Sequence, residues 1–285
     1  MSAYFIVDAF TDKPFGGNTA GVVRIESQDF PQDETMRLIA AEFRYSETAF
    51  VKANPDGSFV TRYFTPTGEV PLCGHATIAT FGVLFKKGML HENQTYLNHT
   101  LAGDLKVVAG QTIMMQMAEP KLIDTLNEAD RDKLINIMGV TETTTLPFQI
   151  ISTGLPDIML PVADINSLQN LHPDMKALSK FSEALQVVGV HVFALTDDNF
   201  TAHVRNFAPL YGIDEESATG TSNAALTYYL YRNGIIKAPA QCKFLQGEAM
   251  QRPSIIATTL FANDLLCDIM VGGPCCILAQ GELMI

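Results

Sequence analysis

Cys73, Gly74 and His75 stand in direct succession within Glu69-Val-Pro-Leu-Cys-Gly-His-Ala-Thr-Ile-Ala-Thr80. Together they offer a thiol, a backbone opening and an imidazole. The stretch follows a predicted strand, Val60 to Phe64, and leads into an apolar, small-residue run that reads as a buried helix, Ala76 to Phe85. A glycine at the mouth of a buried helix leaves N–H groups facing a ligand, and the helix dipole favours an anion there. A thiol and an imidazole beside that mouth are groups a catalyst uses. The same three residues also suit a structural role, with Cys73 in the core, Gly74 in the turn and His75 satisfied by its neighbours.

The elements that would position these groups occur twice. Arg62-x-Phe64-x-Pro66 returns as Arg205-x-Phe207-x-Pro209, and a glycine then opens a helix in each half, Gly74 and Gly220. Gly88 closes the first helix and Gly234 the second, each fourteen residues after the opening glycine. Inside the helices Ala79 matches Ala225, Leu84 matches Leu230 and Phe85 matches Tyr231, while the lead-in is three residues longer in the second copy. This pattern predicts two similar lobes, each a curved sheet around its own helix, with both helix mouths aimed at one cleft. Two such mouths would hold a small carboxylate-bearing substrate and stabilise an enolate-like charge.

Elsewhere the chain reads as strands with few helices. Tyr4–Phe10 and Ala20–Ile25 are predicted strands around the loop Thr11–Asn18; a helix runs from Pro31 to Phe43, capped by Asp33, with Met36, Leu38, Ile39 and Phe43 as its apolar stripe. Further helices are expected over Asp130–Met138, His172–Leu185 and Ser222–Arg232. The polar run after Glu119-Pro120 is taken as a boundary. The expected division is residues 1–118, completed by about 272–285, and residues 119–271. The order is not the regular βα repeat of a doubly wound sheet, and there is no Gly-x-Gly-x-x-Gly or Gly-x-x-x-x-Gly-Lys phosphate loop.

Bulk composition narrows the partners. With 285 residues, 47% hydrophobic and 18% charged, the chain has ample material for two cores and is not a disordered one. Nineteen basic against 31 acidic residues give a net charge of −12, which argues against nucleic acid or an anionic membrane surface. Five cysteines, an odd number without metal-ligand spacing, point to free thiols in a reducing compartment. The N-terminus lacks a secretory pattern and no apolar run nears the roughly 18 residues of a membrane span, so a cytoplasmic location is expected.

Four ordered motifs carry a resemblance. They are Asp8-Ala-Phe-Thr-x-x-Pro-Phe-x-Gly17-Asn18, Ser46-Glu47-Thr-Ala-Phe50, Phe64-Thr-Pro-x-x-Glu69-Val-x-Leu-Cys-Gly74-His75-Ala-Thr and Glu215-Glu-x-Ala-Thr-Gly220. Spread over essentially the whole chain, they resemble the PhzF (phenazine-biosynthesis-like) family of the diaminopimelate epimerase superfamily. The resemblance implies an α+β fold of two pseudo-symmetric lobes, each a β-barrel-like sheet around a central helix. It also implies an active site between them, no cofactor and usually a homodimer; no metal site is expected. The family's founding activity isomerises a dihydro-hydroxyanthranilate by moving a proton with a carboxylate. Carried over by position, Glu47 matches the acid/base glutamate, Ser46 its neighbour, and His75 the cleft histidine that bonds substrate or relays a proton. Gly74 and Gly220 match the glycines whose N–H groups meet the substrate, and Asn18 belongs to the N-terminal motif. Glu216 stands where the family commonly has Asp, and Thr221 where it has Ser. These two changes alter reach toward a substrate while keeping the chemical types.

The function expected is a cofactor-independent isomerase moving a proton on a small anionic, carboxylate-containing metabolite. A carboxylate does this work best where partial burial brings its pKa toward neutrality, and the flanks Tyr45, Ala49 and Phe50 are apolar. Two other readings stay open: a racemase or epimerase using thiols, and a non-catalytic binding protein on the same fold. A two-thiol racemase needs a partner for Cys73 just before Gly220, and that position holds Thr219. Cys73 is then expected to act as a small buried hydrophobe, and a Cys–His hydrolase is disfavoured because near neighbours rarely point at each other.

Overall fold

Alternating apolar residues and punctuating glycines set the first elements of the computed structural model, which describes residues 2–263 and 266–284. β1 (Ser2–Ala9) and β2 (Asn18–Arg24) are antiparallel; α1 (Asp33–Phe43) crosses to β3 (Thr48–Ala53), which runs parallel to β2. β4 (Phe59–Thr65) returns antiparallel to β3, and the short β5 (Gly68–Val70) folds back on β4. After α2 (Gly74–Lys86), β6 (Thr95–Thr100) lies parallel to β4, followed by antiparallel β7 (Gly103–Val108) and β8 (Ile113–Gln116).

The second unit starts with β9 (Lys121–Thr125), α3 (Glu128–Met138), β10 (Gln149–Ser152) and β11 (Pro156–Pro161). It continues through α4 (Ile165–Gln169), α5 (Met175–Leu185), β12 (Gly189–Leu195), β13 (Ala202–Ala208) and β14 (Ile213–Glu216). α6 (Gly220–Arg232), β15 (Ala240–Gln246), β16 (Ser254–Ala262) and β17 (Cys267–Gly273) complete it. The chain then re-enters the first unit as β18 (Cys275–Leu283), antiparallel to β1. One unit holds the chain up to Gln116 together with Gly272 onward; the other holds Met117–Val271.

The repeat read from Arg-x-Phe-x-Pro is visible as strand pairing. β10/β11 are antiparallel, β11/β12 parallel, β12/β13 antiparallel, β13/β15 parallel and β15/β16 antiparallel, the scheme of β1, β2, β3, β4, β6 and β7. β9 flanks β10 as β18 flanks β1. The central helices are both 13 residues long, and both end through the same pair of bonds. Gly88 and Gly234 adopt left-handed φ of +72° and +73°; Met89 N donates to Leu84 O, and Ile235 N to Leu230 O. The longer second lead-in carries the 3-10 turn Pro209–Tyr211, which begins at the proline that matches Pro66.

Burial explains both helix types. α2 buries every residue from His75 to Leu84, so its sequence carries no polar face. α1, by contrast, lays Met36, Ile39 and Ala40 against Val23, Ile25, Phe50 and Phe64 and is amphipathic. Two expectations for α1 are corrected. Leu38 is half exposed, and Asp33 is the first helical residue rather than the cap because its carboxylate is taken by Arg62 Nη1 at 2.9 Å. The run after Pro120 is not a bare boundary but the strand β9; four of its five residues are exposed, so an edge strand there shows no apolar period. α4 escaped sequence reading because it is one turn long, although Asp164 caps it by accepting from Ser167 N. α5 starts at Met175, three residues after the expected His172, with Asp174 capping it.

Gly82 shows how tightly α2 sits. A Cβ there would collide with Sγ of buried Cys275 on β18. Gly82→Ala is expected to cost about 1–2 kcal/mol in denaturant unfolding, overpacking outweighing the gain in helix propensity. In a Cys275→Gly background the clash is gone, and the same substitution should become neutral or stabilising.

Candidate active site

The first unit places a carboxylate, a thiol and an imidazole together at the mouth of α2. Ser46 and Glu47 precede β3, and the parallel β2/β3 register fixes them there: Gly21 pairs with Thr48, and Gly21 N donates to Glu47 O at 3.2 Å. Cys73 occupies the N-cap of α2 in an extended conformation, and its side chain makes no cap bond to the helix. His75 lies in the first turn, 7% exposed, with Nε2 3.4 Å from Glu47 Oε2 and 3.5 Å from Ser46 Oγ. Its Nδ1 is 3.5 Å from Asn18 Nδ2 and 3.4 Å from Cys73 Sγ. Burial holds the imidazole below its ordinary pKa of 6.5, and the Glu47 carboxylate opposes this only in part, so the ring is neutral at pH 7. With Asn18 donating to Nδ1, the Nε2–H is left to donate toward Glu47.

A buried hydrogen-bond chain holds this mouth. Thr77 Oγ1 donates to Cys73 O at 2.8 Å and accepts from Tyr63 Oη at 2.7 Å. Tyr63 in turn accepts from Asn98 Nδ2, whose Oδ1 takes the Thr61 hydroxyl. Burial pushes the Tyr63 phenol up, so it stays a neutral donor. Asp8 closes the loop on the other side, taking Phe15 N at 2.8 Å and the Thr19 hydroxyl at 2.5 Å.

At the mouth of α6 the second unit repeats the device with different residues. Thr219 stands at the N-cap, again without a side-chain cap bond. Asn223 Nδ2 donates to Thr219 O at 2.9 Å, as Thr77 does to Cys73 O. Gln246, fully buried, spans the turn: its Oε1 accepts from Thr219 N and Asn223 Nδ2, and its Nε2 donates to Glu216 O and Thr219 Oγ1. Thr219 Oγ1 donates to Glu216 Oε2 at 2.7 Å, and Thr153 Oγ1 donates to Thr221 O at 2.9 Å.

The profile of the family described as "Phenazine biosynthesis-like protein" (PhzC-PhzF) matches residues 7–273. The chain belongs to the PhzF family. It is 32% identical to an uncharacterized isomerase of Clostridium acetobutylicum, over 98% of this chain and 97% of that one. It is also 32% identical to trans-2,3-dihydro-3-hydroxyanthranilate isomerase of Pseudomonas fluorescens, over 90% of this chain and 89% of that one. The crystal structure of a Bacillus anthracis PhzF-family protein superposes with a TM-score of 0.88 at 25% identity, covering 100% of this chain and 99% of the other. The fold is therefore the α+β, diaminopimelate epimerase-like one, and PhzF membership supports an isomerase or epimerase-like enzyme. Among the described residues, no helix is long and apolar enough to cross a membrane.

Within this PhzF-family chain, Asn18, Ser46, Glu47, Gly74 and His75 gather in the first unit, and Glu216, Gly220 and Thr221 in the second. One sequence expectation needs correcting. Cys73 is buried, but it is not only a packing residue, because its sulfur contacts both nitrogens of His75 despite the single intervening residue. The extended N-cap backbone turns the thiol back across the first turn of α2. Gln246, Asn223, Tyr63 and Thr77 were missed. Their signal was a polar side chain at an inward position of an apolar strand or helix, and that signal does not say what it bonds.

The same signal marks a buried cluster in the second unit. Ser222 Oγ donates to Asp157 Oδ2 at 2.6 Å, and Asn206 Nδ2 reaches Ser222 Oγ and His191 Nδ1 at 3.0 and 3.2 Å. Burial lifts Asp157 from its ordinary 3.8 to about 6 and pushes His191 from 6.5 to about 3. Because its folded-state value is raised, Asp157 imposes no penalty below pH 4; the penalty grows between pH 4 and 6 and is constant above. Asp157→Asn should therefore gain stability relative to wild type as pH rises through that window, by about 1–3 kcal/mol at pH 7. His191 acts in the opposite sense, since its depressed value costs stability as pH falls below 6.5. Urea unfolding of both proteins at pH 4 and 7 isolates the Asp157 contribution.

Proposed function

We propose that this PhzF-family chain is an isomerase that moves a proton on a small carboxylate-containing metabolite through side-chain chemistry at the α2 mouth. Glu47 takes a proton from one carbon of the substrate, exchanges it with solvent at the carboxyl and delivers a proton to another carbon, so the enzyme ends each cycle unchanged. The observation that carries this reading is Glu47 Oε2 at 3.4 Å from Nε2 of a buried, neutral His75. A neutral ring donates a hydrogen bond to the carboxylate without trapping it as an ion pair, which leaves Glu47 able to act as a base. The first turn of α2, which takes no cap bond from the Cys73 side chain, is proposed to offer N–H groups to the substrate's carboxylate or to a developing enolate. From the family resemblance, Glu216 is proposed as a further catalytic residue and Gly220 and Thr221 as substrate-binding residues, with Glu216 and Thr221, in place of the family's usual Asp and Ser, altering reach. The site needs no bound cofactor for this proton transfer, and a homodimer is proposed from the family resemblance.

The test is solvent exchange. Incubated in heavy water with small unsaturated hydroxy- or amino-carboxylates, the protein should place one solvent deuterium on carbon, and Glu47→Gln should not. A thiol-based epimerase is the second reading, favoured by the Cys73 sulfur lying 3.4 Å from His75 Nδ1. Cys73→Ala separates the two: exchange that persists in this variant but stops in Glu47→Gln assigns the proton to the carboxylate.

A further inference from the structure

We propose that Glu47, Cys73 and His75 also form a three-ligand site for a borderline divalent cation, Zn²⁺ above all, and that occupancy of this site switches the enzyme off. The switching half of this proposal rests on the function proposed above; the binding half does not. One ligand atom from each residue, a Glu47 carboxylate oxygen, Cys73 Sγ and a His75 ring nitrogen, lies within 4.8 Å of the others. With Nε2 as the imidazole ligand, the separations are 3.4 Å to the carboxylate oxygen and 3.9 Å to the sulfur. Tetrahedral zinc with bonds of about 2.0–2.3 Å holds its ligand atoms roughly 3.4–3.6 Å apart. The carboxylate–imidazole edge already has this length, the imidazole–thiol edge is a few tenths of an ångström longer, and the carboxylate–thiol edge is within 4.8 Å, so side-chain rotation has to close the trio on the ion.

The donor set selects the ion. A thiolate and an imidazole disfavour Mg²⁺ and Ca²⁺, whose ligands are oxygens, and suit Zn²⁺ and Co²⁺. The charges also balance: a carboxylate and a thiolate cancel a divalent cation, which matters where Cys73 and His75 are both buried. Binding displaces the thiol proton to solvent and moves the imidazole proton from Nε2 to Nδ1, where Asn18 can turn its amide oxygen to accept it. The backbone on both sides is already fixed, by Gly21 N on Glu47 O and by Thr77 Oγ1 on Cys73 O. Three protein ligands leave a fourth position for water or a substrate carboxylate. Metal binding draws charge from the Glu47 carboxylate and makes it a poorer base, so the consequence is inhibition.

Zinc chloride titrated by calorimetry into the full-length, chelator-dialysed protein tests this. The expected result is saturable binding of one ion per chain with release of about one proton. Cys73→Ser and Glu47→Gln should each weaken it at least about tenfold. A Cys242→Ser/Cys267→Ser/Cys276→Ser variant should bind as wild type does. Cobalt(II) should give a thiolate-to-metal charge-transfer band that Cys73→Ser removes. Absence of saturable binding, or wild-type affinity in Cys73→Ser, overturns the site. If zinc binds through the trio but solvent exchange proceeds unchanged at saturation, the switch is overturned while the site stands. Should exchange never be seen in any form of the protein, the function proposed above fails and the calorimetry still decides the metal.

Discussion

Glu47→Gln is expected to lower kcat by about 10²–10⁴-fold while substrate affinity stays within about threefold. The amide keeps the volume of the carboxylate and can still accept from His75 Nε2, 3.4 Å away in the native site. It cannot take a proton at neutral pH. The loss therefore falls on a group that changes protonation during the reaction, not on ground-state binding, and kcat and kcat/KM drop together. Presteady-state exchange in heavy water, combined with a direct binding measurement, checks both halves. A variant that retained exchange within tenfold of wild type would remove Glu47 from the proton path. His75→Asn makes a useful comparison, because it leaves the base in place but removes its donor, and its effect should be the smaller of the two.

Arg205→Ala should destabilise the protein by about 3 kcal/mol, the larger of the two effects at the repeated arginines. The Arg205 guanidinium makes a two-pronged pair with Glu215, at 2.9 and 2.8 Å, with side chains only 11% and 15% exposed. Its remaining nitrogen caps the end of α4, donating to Leu168 O at 3.1 Å, and its plane lies 4.9 Å from the Phe207 ring. Removing it strands a nearly buried carboxylate on β14, one residue from Glu216. Arg62 makes the matching fork with Glu69 and stacks on Phe64, but its further partner Asp33 is largely exposed, so Arg62→Ala should cost less, about 1–2 kcal/mol. Lysine at 205 lacks the planar fork and should recover under half of the loss. Urea midpoints measure all three, and equal costs at the two arginines would show that burial does not set the difference.

These two arginines also show what a sequence can carry. Arg-x-Phe-x-Pro was legible twice because each copy makes the same local contacts, with Arg bonding the glutamate of the next short strand and Phe lying beneath the guanidinium. The central helices were legible too, because complete burial leaves a run of small and apolar residues ending in a left-handed glycine. The order of motifs, with Ser46-Glu47-Thr48 and Gly74-His75 among them, sufficed for the family. Elements without an inward face, such as β9, or only one turn long, such as α4, left no period to read.

What the sequence alone could not state was which groups meet. Glu47 comes to His75 because parallel pairing of β2 and β3 sets Gly21 opposite Thr48 and ties Gly21 N to Glu47 O. Gln246 reaches Thr219 and Glu216 because β15 joins β13 in a parallel pairing. Neither register is encoded near the residues it joins. The Cys73 thiol, expected in the core, faces His75 because the backbone at the helix cap directs it there. Local sequence thus determined the elements, their repetition and the family, since helix and strand periods and glycine conformations are properties of short stretches. The tertiary structure decided the chemistry of the α2 mouth, since contact between distant residues depends on strand register and on burial, which also keeps His75 neutral.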